Sequence, residues 1–199
     1  VGLANFFVEK FKSLGGEIVA DLSYTAGDSD FKSQLTSIKG KAPEAVFVPG
    51  YYTEVALVSR QAKEMGLNVP LLGGDGWDSS KLFEIGGTSL KGSYFSNHYS
   101  PDDTSPTVQK FIADYKTEFN SIPDGLAALG YDAAMVLFDS IKRAGTTESK
   151  ALRDAIAATQ NYAGVTGTIT MNDQRDTVKS AVIIEVTDNT YKFKERINP

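Results

Sequence analysis

The sequence predicts an α/β fold: a doubly wound, mostly parallel sheet, joined to the helical part of a second, incomplete lobe. Three observations carry that prediction. Between residues 17 and 98, short apolar runs alternate with amphipathic stretches across brief glycine-rich connections, the pattern of a parallel sheet with helices on both faces. Beyond about residue 100 the alternation stops, and three helical stretches follow with no buried strand between them. Those helices carry apolar stripes that need a covering surface. The sheet predicted before residue 100 has its faces largely taken by its own helices.

Residues 3–14 place Leu3, Phe6, Phe7, Phe11 and Leu14 on one helical stripe, which Gly15-Gly16 ends. Glu17 to Tyr24 reads as a strand. Asp28, Ser29 and Asp30 offer N-cap chemistry to a helix over 30–40, with Phe31, Leu35 and Ile38 inward. Ala45 to Val48 is a short apolar run suited to a strand buried on both faces. A helix over 52–65 stops at Gly66, and Val69 to Leu72 is the next strand, running into Gly73-Gly74-Asp75-Gly76-Trp77. A short helix over 79–85 leads to a strand over 92–97.

Ser100 to Pro106 reads as a linker. The helices beyond it cover 105–119, 124–144 and 148–159. Their stripes are Val108, Phe111, Ile112 and Tyr115; Leu126, Leu129, Ala133, Val136, Leu137 and Ile141; and Leu152 with Ile156. Strand-like runs return at 165–171 and 180–187 across a turn at Asn172-Asp173, and Tyr191 to Phe193 suits an edge strand.

The 199 residues, 41% hydrophobic and 23% charged, have the composition of a globular protein and the length to bury a core. Twenty basic against 25 acidic residues leave a net charge of −5, which argues against a nucleic-acid partner. The absence of cysteine excludes thiolate metal sites, cysteine nucleophiles and disulfides, and the single histidine, His98, excludes a site built on two or three histidines of one chain. No run approaches the roughly 20 apolar residues of a membrane span. Val1 to Asn5 lacks the basic and apolar regions of a signal peptide. The helix that follows reads as already under way, so the expectation is a truncated or processed product.

In an open parallel sheet, ligands bind beyond the carboxyl ends of the strands. Those ends are Pro49 to Glu54, Gly73 to Asp78, and Asn97-His98-Tyr99. They offer aromatic walls, an acid, and glycines that let backbone come close. Asp75 is the candidate partner for an ammonium through a charge-assisted hydrogen bond, and Tyr51 supplies a ring face and a hydroxyl. Bland roles compete: Tyr51 and Tyr52 also suit packing between strand and helix, Asp75 a turn, and Trp77 core packing with or without a ligand contact. Catalytic signatures are missing, since no nucleophile elbow or phosphate-binding glycine loop is present, and an Asp75–Asp78 acid pair is of a kind found in any α/β chain.

Phe47-Val48-Pro49-Gly50-Tyr51-Tyr52, then Arg60-Gln61-Ala62 and Gly66-Leu67, then Leu71-Leu72-Gly73-Gly74-Asp75-Gly76-Trp77 resemble the type I periplasmic binding proteins. The nearest branch is the receptors of branched-chain amino-acid (Leu/Ile/Val) ABC transporters. Tyr24 to Phe31, Ser96 to Ser100, Gly130 to Ala134 and Gly164 to Ile169 match as well, so the resemblance spans nearly the whole chain.

The resemblance implies a clamshell of two lobes joined by three hinge strands, of which about the first 140–150 residues are absent here. Residues 1–98 and 180–199 are then the second lobe, and 99–179 the helical remainder of the first. It implies that Tyr51 contacts the ligand and that Asp75 binds the α-ammonium, one methylene shorter than the Glu of several relatives. Leu126 stands where some relatives place an aromatic, and Trp77 completes the candidate ligand-binding set. The α-carboxylate clamp belongs to the absent lobe.

The implied function is an extracytoplasmic solute receptor, periplasmic or at the cell surface, that binds an amino acid and docks on a membrane permease. No cofactor, metal or catalytic residue is expected. A further partner is the missing N-terminal half or another copy of the chain. The competing readings are a ligand-sensing domain of the same fold and an acid-based α/β enzyme.

Overall fold

In the computed structural model, which describes residues 2–198, the expected alternation forms a layered first unit. Its helices are α1 (Gly2–Ser13), α2 (Lys32–Lys39), α3 (Tyr52–Glu64) and α4 (Lys81–Gly86). Its strands β1 (Val46–Phe47), β2 (Leu71–Gly73) and β3 (Tyr94–Asn97) pair in parallel, with Phe47 opposite Leu72 and Gly73 opposite Phe95. The helical elements that follow are α5 (Pro106–Phe119), α6 (Gly125–Ala144) and α7 (Ser149–Ala157). The remaining strands are β4 (Tyr162–Gly164), β5 (Gly167–Met171), β6 (Thr177–Val178), β7 (Ala181–Val186) and β8 (Tyr191–Ile197). One sheet has the order β1-β2-β3-β7-β8, and a second, antiparallel sheet has the order β4-β5-β6.

The first unit runs to Ser96 and takes up Glu185–Lys192, while the second comprises Asn97–Ile184 and the chain from Phe193 onward. The chain therefore passes between units three times. In the first unit the core is built by Val55, Ala56 and Val58 of α3 against Leu71, Trp77, Leu82 and Phe95, all at most 6% exposed.

The second unit has its own apolar cluster of Tyr99, Val108, Phe111, Ala128 and Val165, with Ile112 and Tyr115 packed against it. Its helices start and stop on local chemistry. Pro106 opens α5, whose fixed φ suits a first helical turn. Asp124 caps α6 by accepting from the Ala127 amide at 2.8 Å, and Gly145, at φ 66°, ends it. Glu148 accepts from the amides of Lys150 and Ala151 at the start of α7.

Several expectations are corrected. Residues 17–24, with Ile18 and Ala20 half-buried and Val19 exposed, do not form a strand; no described strand pairs with them. The expected strand at 45–48 is half-buried rather than buried on both faces. Helix α1 forms as expected, yet none of its residues is buried; Phe7 stacks on Phe47 at 4.0 Å, while Phe6 and Leu14 stay exposed. The helix at 32–39 is entered through Phe31, and the Asp30 carboxylate accepts from the Lys32 amide instead of capping in the standard register.

Helix α6 turns a different face inward from the one its leucines predict. Gly125, Ala128, Asp132, Val136 and Ser140 are buried, and Leu126 and Leu137 are exposed. The reason is Asp132, whose carboxylate accepts from the Val165 and Thr166 amides and the Thr166 hydroxyl at 2.7–2.8 Å. That polar grip draws the small-residue face of the helix onto the β4–β5 turn. The strand expected at 165–171 forms over 167–171 as β5 and pairs with β4 in a hairpin whose turn holds Val165 and Thr166.

Candidate functional site

Because β1 and β2 run parallel in register, the segments that leave their carboxyl ends emerge side by side. The Val48 amide extends the pairing by donating to the Leu72 carbonyl at 2.7 Å. Tyr51 then adopts an extended backbone (φ −88°, ψ 161°) as the residue that enters α3, and its side chain is 74% exposed. Beyond β2, Asp75 opens a 3-10 turn, Asp75–Trp77, closed by the Trp77 amide on the Gly74 carbonyl and the Asp78 amide on the Asp75 carbonyl. Asp75 is exposed.

The two segments touch through Gly76. A Cβ added there would stand 2.9 Å from the Gly50 carbonyl oxygen and 3.0 Å from Cδ1 of Tyr51. Only a residue without a side chain lets the turn carrying Asp75 come this close to the phenol ring. A carboxylate and an aromatic face therefore share one solvent-facing rim, able to take a cation with an apolar body.

Trp77 occupies a different level. It is fully buried, and its Nε1–H donates to the Val48 carbonyl at 3.1 Å, tying the β2 turn to the end of β1. A Cβ at Gly73 would collide with the indole, so glycine there is what admits the ring. Phe95 supports it with ring centroids 5.8 Å apart. Of the two roles the sequence leaves open for Trp77, packing is the one this geometry displays.

A second loop braces the rim. The Tyr24 hydroxyl lies over Gly50, and the Glu54 carboxylate accepts from the Gly27 amide at 2.9 Å. Burial, and after it the Glu54 charge, push the Tyr24 phenol above its usual range, so it stays protonated at neutral pH. Leu126, 74% exposed on the first turn of α6, belongs to the second unit, as does Asn97-His98-Tyr99. Tyr99 is buried in that unit's apolar cluster.

Two concavities of the first unit lie elsewhere: a groove of about 310 Å³ lined by Asp30, Lys32, Arg60 and Gln61, and one of about 400 Å³ beside the amino ends of β2 and β3. Gly76 is among the strand-end glycines expected to let backbone come close. Sequence reasoning missed Tyr191. Nothing near Tyr191 in the sequence points to a turn more than 100 residues away.

The sequence model of a family described as periplasmic binding protein matches residues 2–190. The leucine-binding protein LivK of Thermotoga maritima is 41% identical with a TM-score of 0.93, over 100% of this chain and 57% of that one. The branched-chain amino-acid substrate-binding protein LivJ of Streptococcus pneumoniae, solved with isoleucine, is 33% identical with a TM-score of 0.86, over 100% of this chain and 56% of that one. Among curated proteins, the Leu/Ile/Val-binding protein homolog 3 of Brucella melitensis is 32% identical over 88% of this chain and 47% of its own length. The chain spans about half the length of these relatives.

Proposed function

The chain belongs to the periplasmic binding protein family, and from that premise we propose that it is part of an extracytoplasmic solute receptor of an ABC transporter, with a branched-chain or similar aliphatic amino acid as its solute. The family is one of solute-binding proteins rather than enzymes. The observation that carries the reading is the contact at Gly76, which brings the turn opened by Asp75 against Tyr51, both residues being exposed. Asp75 receives the solute's ammonium through charge-assisted hydrogen bonds, and Tyr51 covers its apolar body. The names of the Thermotoga, Streptococcus and Brucella relatives support that solute class. Leu126, exposed and apolar, is assigned a contact with the solute's side chain. Trp77 supports the rim from below, with its side chain out of solvent.

The proposed setting is the periplasm or the outer cell surface, with a membrane permease as the partner that reads the occupied state. A receptor signals occupancy only if solute favours one conformation by its differential affinity. Residues 1–98 and 180–199 are proposed as one lobe, and 99–179 as part of the other. The apolar side chains of Phe6, Leu14, Leu126 and Phe138, each more than 60% exposed, are proposed to be covered by further polypeptide. Its source is an N-terminal half or another copy of the chain. A monodisperse 21.5 kDa monomer without a dye-binding surface, seen in sedimentation, would contradict that last assignment.

Titration calorimetry of the full gene product with leucine, isoleucine and valine tests the solute class. Binding of at least one of them, strongly weakened by Asp75→Ala, is the expected result. No heat with any of them, or an Asp75→Ala variant of unchanged affinity, overturns the proposal.

A further inference from the structure

Tyr191, the first residue of β8, reaches back to the turn that carries Asp75. Its phenol oxygen lies 2.8 Å from the Trp77 carbonyl, 2.8 Å from the Ser79 carbonyl and 3.3 Å from the Ser79 amide nitrogen. A phenol has one proton to give, so it donates to one carbonyl at a time, while the Ser79 N–H is shared between the Trp77 carbonyl at 2.8 Å and the phenol oxygen. All three partners are backbone groups at the far end of the turn opened by Asp75. The near end is already held, by Trp77 N–H on the Gly74 carbonyl and by the indole N–H on Val48.

The ring and the hydroxyl of Tyr191 have separate tasks. The ring packs edge-on against Phe95 at 5.2 Å and tilted against Phe83 at 4.7 Å, which is core packing of the first unit. The hydroxyl makes its hydrogen bonds with the 77–79 backbone. Burial drives this phenol far above its ordinary range, so it remains a donor at every physiological pH. Tyr191 also stands one residue before Lys192, the last residue of the first unit before the chain leaves it for the second time.

We propose that Tyr191 is a positioning residue of the amine site: its hydroxyl fixes the end of the Asp75 turn and thereby aims the Asp75 carboxylate. The inference rests on reading the Tyr51–Asp75 rim as a solute site. It also makes the turn and β8 one mechanical unit, so that occupancy of the rim is felt by the strand that carries the chain onward.

Tyr191→Phe keeps the ring and removes the hydroxyl. In the full gene product its leucine affinity is expected to fall by about fivefold to tenfold, the scale of one net hydrogen bond. The same change made in an Asp75→Asn background is expected to cost little further, because the two residues act through one interaction. Equal losses in both backgrounds, or no loss in the first, overturn the positioning role and leave the proposed function standing. A wild-type protein that binds no leucine, isoleucine or valine overturns the proposed function instead. The inference is then decided by amide exchange: Tyr191→Phe must speed exchange at residues 77–79 by about tenfold while α3 stays unchanged. Should that variant fail to fold, the Tyr191 hydroxyl proton of the wild type decides: slow exchange with water upholds its hold on the Trp77 and Ser79 carbonyls, and fast exchange overturns it.

Discussion

The ring of Tyr51 rests on the backbone of Gly76, with no room between them for a methyl group. Gly76→Ala therefore has to move either the Gly50 carbonyl or the phenol. Both belong to the short segment between β1 and α3, so the displacement spreads along the rim. The expected result is a solute affinity lowered by at least about tenfold, with a thermal midpoint changed by only a few degrees. Calorimetry beside a melting curve checks the pair of outcomes.

Asp75 is exposed and sits at the mouth of a three-residue turn. Its replacement should leave the fold intact and act on binding alone. Asp75→Asn keeps the size and loses the charge, and an amine-bearing solute is expected to bind about tenfold to a hundredfold more weakly, the range for a hydrogen bond to a charged group. Asp75→Glu lengthens the arm by one methylene and is expected to reorder preference among leucine, isoleucine and valine. Competition titration with the three amino acids reads that order.

Asp132 is 3% exposed and accepts from two amides and a hydroxyl of the β4–β5 turn. Asp132→Ala strands two buried N–H groups without an acceptor. The expected destabilisation is about 2–4 kcal/mol, read by urea denaturation. Gly164 is part of the same fit, since a Cβ there would lie 2.7 Å from an Asp132 carboxylate oxygen. Gly164→Ala should destabilise in the same direction.

Lys179 donates to the Thr166 hydroxyl at 2.7 Å. Burial lowers its ammonium to about 8; the Asp132 carboxylate opposes that shift and the Arg196 charge adds to it. In the unfolded chain the same group holds its proton to about 10.5. Between those values the unfolded state binds more protons, so Lys179 makes stability rise with pH from about 8 upward and contributes no slope well below it. Above about pH 10 the buried Tyr191 works the other way, because phenols ionise first in the unfolded chain. Denaturation midpoints of wild type and Lys179→Met, compared from about pH 7 to 9.5, should diverge only in the upper part of that range. Parallel profiles would show that Lys179 titrates as it does in water.

Much of this fold is legible in the sequence because local chemistry specifies it. The apolar runs around Val46 and Leu71 and the stop at Gly66 act over a few residues, and β1, α3 and β2 appear within a few positions of their expected places. The failures have a common physical cause, dependence on distant partners. Residues 17–24 have the alternation of a strand, but ladder bonds come from a neighbour. The orientation of α6 follows from Asp132 meeting Val165 and Thr166, 33 and 34 residues onward, and periodicity of leucines carries no trace of that. At the candidate site, Tyr51 and Asp75 were readable as strand-end residues. Their closeness depends on what glycine permits at position 76, and the hold of Tyr191 on the turn depends on tertiary structure.

The hydrogen bonds from Tyr191 close a loop of 112 to 114 residues. During synthesis, everything from α1 to the turn at Ser79 leaves the ribosome long before the phenol that fastens it. The nascent rim therefore waits, unfastened, until nearly all of the second unit has been made. Long-range closure of this kind is slow relative to local helix formation. Chaperone demand and protease sensitivity of the growing chain should accordingly centre on residues 74–80 and end when β8 emerges.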